Sequence, residues 1–226
     1  MEDNSQKSLF DVLIHKGTLK QSIYKNTLNA FDLVKKVLRE KDRIYQERYK
    51  ASDEKIPFIE TEIGEFELQV QFAGDILIFM MHTNVFEFPR MHDVMLSQYI
   101  KDDKERSYCG MISIYNFLAD SFKYNRLNDI GYMIGRLFIN KDNCYFIEGK
   151  RELGMLYPNF GNEYFDEAAA NKLVESAILY TINFDLLVPP YESLVQVNVG
   201  DVRSYMESYN LKTGKRLGFK FQADKE

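Results

Sequence analysis

The stretch EFELQVQFAGDILIFMM, residues 65–81, constrains this chain more than any other. Phe66, Leu68, Val70 and Phe72 alternate with Glu67, Gln69 and Gln71, which buries one face of a strand and leaves the other polar. Gly74 and Asp75 have the residue types of a two-residue hairpin turn. The run ILIFMM follows with no polar break, as in a strand buried on both faces. These two runs are expected to be antiparallel neighbours. A chain with such a hairpin is committed to a sheet, and the remaining sequence must extend it and cover it.

Further strands are expected in GMISIYNFL and in a second hairpin, GYMIGRLFI and CYFIE joined across NKDN. A short helical stretch runs from Met91 to Ile100. Late strands are expected in LVQVNV and GFKFQ, with a short helix around DVRSYMESY between them. Two longer segments have helical spacing. Near the N-terminus an amphipathic piece, Ser8 to His15, stops at Gly17. Thr18 and Gln21 then stand at capping-box spacing before Leu19, Ile23, Leu28, Phe31, Val34, Val37 and Leu38. That helix must end before Pro57. From about Glu163, the residues Phe165, Ala169, Leu173, Ala177, Ile178 and Ile182 form a second stripe, which VPP ends. Hairpins without regular strand–helix–strand alternation predict an α+β fold: a mainly antiparallel sheet packed by two principal amphipathic helices. No linker or repeat divides the chain, so residues 1–226 are expected to form one domain.

The balance of charge is mildly acidic, −5, which gives no general attraction to nucleic acid or anionic lipid. The opening MEDNSQKSLF is polar where a secretory signal is basic and then apolar. No apolar run is long enough to span a bilayer. Cys109 and Cys144 sit beside apolar residues and are expected as buried reduced thiols, so a soluble cytoplasmic protein is expected.

The motif that points to chemistry is CYFIEGKRELG, residues 144–154. Glu148 and Lys150 lie two apart on a strand and so share a face, and Asp129 precedes the partner strand. This D…ExK pattern resembles the PD-(D/E)xK nucleases. The resemblance implies a Mg²⁺ ion held by Asp129 and Glu148, with Lys150 beside the attacking water. The acid-x-Lys spacing recurs at Asp53–Lys55 and Asp102–Lys104, so only the hairpin position singles out the third. The competing reading has Glu148, Lys150 and Arg151 ending a strand in water.

Other features rank lower. His15, His82 and His92 include no i, i+4 pair, which favours structural histidines over a metal site. The two cysteines lack CxxC spacing. Residues 35–50 carry seven basic and three acidic side chains at helical spacing, the pattern of a solvated face with ion pairs. Aromatic clusters such as SYCGMISIYNF and YPNFGNEYF, near Arg136 and Lys123, would suit a pocket for a planar or anionic ligand. P-loop, GxGxxG, GxSxG and HExxH motifs are missing. The sequence therefore points first to a non-catalytic binding domain that engages a protein partner or its own copy as a homodimer. The Mg²⁺-dependent nuclease using Asp129, Glu148 and Lys150 is second, and a small-ligand binder with an aromatic pocket is third.

Overall fold

The computed structural model describes residues 8–49, 56–149, 153, 160–184, 191, 196, 198–200, 202 and 203. Seven strands form one antiparallel sheet: β1 (Phe58–Gly64), β2 (Glu67–Phe72), β3 (Asp75–Met81), β4 (Phe86–Glu87), β5 (Tyr108–Leu118), β6 (Tyr132–Asn140) and β7 (Tyr145–Gly149). Their order is β1-β2-β3-β5-β6-β7, with β4 paired onto β5 as well. Among the described residues, four α-helices with full ranges accompany them: α1 (Leu9–Tyr49), α2 (Gln98–Asp102), α3 (Ala119–Lys123) and α4 (Glu167–Ile182). The expected α+β architecture with an antiparallel sheet is the one found. No helix among the described residues is long and apolar enough to cross a membrane. The expected late strands, and most of the short helix between them, lie outside the described residues.

The β2–β3 hairpin forms as its alternation predicts, shifted by one residue. Phe72 pairs with Asp75, so Ala73 and Gly74 make the turn, and Ala73 adopts a φ of 47°. Leu68, Val70 and Phe72 face the helices together with Leu77, Phe79 and Met81 from β3. Ile112, Ile114, Leu137, Ile139 and Ile147 continue that face across the sheet.

α1 is one continuous helix of 41 residues that runs straight through Gly17, rather than starting afresh at Thr18. The segment on either side is helical at every residue, and a Cβ at Gly17 would meet nothing within 4 Å. Its buried side chains, Leu19, Ile23, Thr27, Ala30, Phe31, Val34, Val37 and Leu38, recur at steps of three and four and lie on the sheet. α4 packs on the same face through Ala169, Ala170, Leu173, Val174 and Ala177. It starts later than expected, where the Asp166 carboxylate accepts a hydrogen bond from the Ala169 N–H at 2.8 Å. Lys36 pairs with Glu167 at 2.5 Å and Lys41 with Glu175 at 2.7 Å, tying the two helices together. Much of the basic run in residues 35–50 is thus engaged by acidic neighbours.

β1 escaped the sequence reading because its polarity is inverted. Glu60 and Glu62 stand opposite Val70 and Leu68 on the helix side, where Arg39 and Lys35 of α1 pair with Glu62. Ile59 and Ile63 are exposed instead. α1 also shields this edge strand: Asp42 accepts from the Glu60 N–H at 3.4 Å, and the Gln46 amide donates to the Phe58 carbonyl at 2.9 Å. Backbone groups that would otherwise template another strand are thereby occupied.

Glu60 itself is strained electrostatically. Its Oε1 is buried without a hydrogen-bond partner. Burial pushes its carboxyl pKa up against the pull of Arg39, and Asp42 adds to the rise. A carboxyl raised in this way carries no penalty below its ordinary range, and destabilises the fold as pH rises through the raised value. Glu60→Gln is therefore expected to stabilise the protein at neutral pH by on the order of 1 kcal/mol. Thermal melts of both proteins at neutral and acidic pH should show this gain shrinking as pH falls.

The opposite face of the sheet is covered in part by the excursion between β4 and β5. Phe88, Val94 and Ile100 pack there on Cys109, Phe138, Cys144 and Phe160. Phe88, Phe138 and Phe146 meet one another with centroids 4.9–6.2 Å apart, two of the three contacts edge-on. Both thiols are free and buried, and burial pushes the Cys109 thiol well up.

Candidate functional site

Glu148 sits on β7 directly opposite Arg136 of β6, and the two form a tight ion pair. Its other oxygen lies 2.8 Å from His92 Nε2. His92 Nδ1 accepts from the Val94 N–H at 3.2 Å, which places the ring proton on Nε2, facing Glu148. Glu148 itself is therefore paired rather than free in water. Glu148 is a half-buried bridge that pins the 88–107 excursion to the sheet. Beside this row, the Ser113 hydroxyl opposite Arg136 is buried and makes no hydrogen bond.

Asp129 belongs to a different local network, in the turn between α3 and β6. It accepts from Ser121 Oγ at 2.6 Å and lies 3.9 Å from Arg126. Lys150 lies outside the described residues. Among the described residues, no group of three or more histidine, cysteine, aspartate or glutamate side chains is arranged to hold a metal ion. His82 stacks edge-on against Phe86 at 5.7 Å, and His15 approaches Glu105 at 2.5 Å.

The most unusual surface is the start of α1. Leu9, Phe10, Val12, Leu13 and Ile14 are 76%, 68%, 45%, 63% and 67% exposed, whereas the core side of the helix begins only at Leu19. At 100° per residue these five side chains cover an arc of about 200°, and Asp11 and His15 lie on the remaining side. So wide an apolar arc is one that a helix ordinarily buries against a neighbour. The arm is fixed where it leaves the body. His15 pairs with Glu105, and Lys16 Nζ donates to the Tyr108 hydroxyl at 3.0 Å while lying 4.1 Å from that ring's centroid. The hydrogen bond to Tyr108 raises the Lys16 pKa, keeping this anchor charged. Gly17 follows directly. The amphipathic pattern of Ser8 to His15 was visible in the sequence; that its apolar side lies beyond the start of the core was not.

No protein-family model, curated protein or solved structure matches the chain.

Proposed function

We propose that this chain is a non-catalytic interaction module that self-associates through the first turns of α1. The observation that supports this reading is the exposed apolar arm of Leu9, Phe10, Val12, Leu13 and Ile14. Such an arm presents on the order of 500 Å² of apolar surface, near the upper end for a single patch on a monomer. Two such arms facing each other bury at most about 1,000 Å² in total, the size at which a specific interface becomes credible. A second copy is the partner of matching chemistry that every solution of this protein contains.

Hydrogen exchange over residues 9–14, followed at low and high protein concentration, tests the proposal. A projecting two-turn helix end exchanges quickly in a monomer. Protection that grows with concentration is the expected result. Fast exchange that is the same at both concentrations would remove the arm as the point of contact.

A further inference from the structure

Gly17 is the one position at the start of α1 that the chain's own packing leaves unexplained. A Cβ there would meet nothing within 4 Å, and glycine weakens the helix it stands in. We infer that two copies of the chain pair their arms antiparallel, crossing at Leu13, so that Leu9 and Phe10 of each copy pack over Gly17 of the other. The inference rests on the self-association proposed above and gives it a direction and a register.

Three features carry the inference. The apolar arc runs from Val12 through Leu9, Leu13 and Phe10 to Ile14, and Leu13 stands at its middle, well exposed. A two-fold axis that pairs this surface with itself passes closest to that residue. Second, Gly17 lies one turn beyond Leu13, about 40° from the middle of the arc, and Phe10 lies about 60° round in the same direction. With the axis at Leu13, position 17 of one copy is level with position 9 of the other, and Phe10 follows by one residue on the same flank. The bare backbone at Gly17 leaves room for both side chains and lets the helices approach closely. Third, charge selects the direction. Just past Gly17 the exposed Lys20 stands about 20° from the middle of the arc, so a parallel pair would set the two Lys20 side chains against each other. The antiparallel pair carries Lys20 beyond the apolar residues of the other arm. It also sets Leu9 beside the alkyl stem of Lys16, whose Nζ is held at the rim by Tyr108. Asp11 and His15 stay on the outer side, so the contact of His15 with Glu105 is kept.

Disulfide trapping in the full chain tests the register, because a disulfide needs Cα atoms within about 7 Å. Leu13→Cys should cross-link to its own copy under mild oxidation. Leu9→Cys and Gly17→Cys should each cross-link poorly alone and well when mixed, the mixed product being recognised by mass with one chain ¹⁵N-labelled. The wild type, whose Cys109 and Cys144 are buried, is the blank. Gly17→Leu supplies a second measurement. At a dilution where both proteins are monomeric it should melt no lower than the wild type, yet its dimer Kd should rise about tenfold or more. Stronger products from Leu9→Cys alone and Gly17→Cys alone than from their mixture would overturn the antiparallel register while leaving arm pairing in place. Undiminished association of Gly17→Leu would do the same. No cross-link at any of the three positions would remove the arm as the point of contact, and this inference with it.

Discussion

Gly110→Val is expected to destabilise the protein by about 3 kcal/mol, a fall in Tm of about 6–12 °C for a chain of this size. Gly110 lies on β5 beneath α1, where a Cβ would fall inside the Thr27 side chain, 2.8 Å from its Cβ and 2.9 Å from its methyl group. Thr27 is fully buried, and its hydroxyl donates back to the Ile23 carbonyl at 2.8 Å, so the side chain has no room to turn aside. The helix must lift from the sheet, opening gaps around Phe31 and Val34, which are wholly buried on the same face. Gly110→Ala should show a smaller loss. Thr27→Ala should recover part of it, because a double-mutant cycle between touching residues is not additive. A full-sized loss that Thr27→Ala leaves unchanged would mean that something other than this contact sets the helix–sheet spacing.

Asn140→Ala is the second large effect, about 2–4 kcal/mol, through hydrogen bonds rather than packing. Asn140 is fully buried at the end of β6. Its Oδ1 accepts from the N–H groups of Asp142 and Cys144, both at 3.0 Å, and its Nδ2 donates to the Tyr99 hydroxyl at 2.8 Å. Tyr99 in turn donates to Asp142 at 2.9 Å, and the Arg106 guanidinium stacks over its ring at 4.3 Å while also binding Asp142. Truncation leaves two backbone donors without partners and takes one of its two hydrogen bonds from the Tyr99 hydroxyl. This network holds the 88–107 excursion against the β6–β7 turn, so the variant should expose Cys109 and Cys144 beneath it. Faster reaction of both thiols with a thiol reagent under native conditions is expected. Wild-type protection, with only a lower Tm, would confine the damage to the turn.

The parts of this fold legible in the sequence are those where polarity and burial agree. β2 and β3 satisfy that condition residue by residue, and so does α1 from Leu19 to Leu38. β1 does not, because Glu60 and Glu62 face a helix carrying Arg39 and Lys35 while isoleucines face solvent. A strand whose charges are met by a distant helix cannot be recognised by periodicity alone. Gly17 misled for a related reason: one glycine lowers helix propensity by about 1 kcal/mol, too little to stop a helix held by twenty residues of packing beyond it. Glu148 was singled out as a candidate metal ligand, and it stands between Arg136 and His92. Its partners, however, are 12 and 56 residues away in sequence, and only the folded chain brings them together. The exposed arm was readable from composition, but its significance rests on knowing that the core begins at Leu19.

Static light scattering of the wild-type chain beside the double variant Leu13→Glu, Ile14→Glu tests the proposed self-association most directly. Both positions lie outside the core, so the variant should melt as the wild type does. The wild type should scatter at twice 26.6 kDa and the variant at 26.6 kDa. A wild type that stays at the single-chain mass at high concentration, or a variant that still associates, would contradict the account.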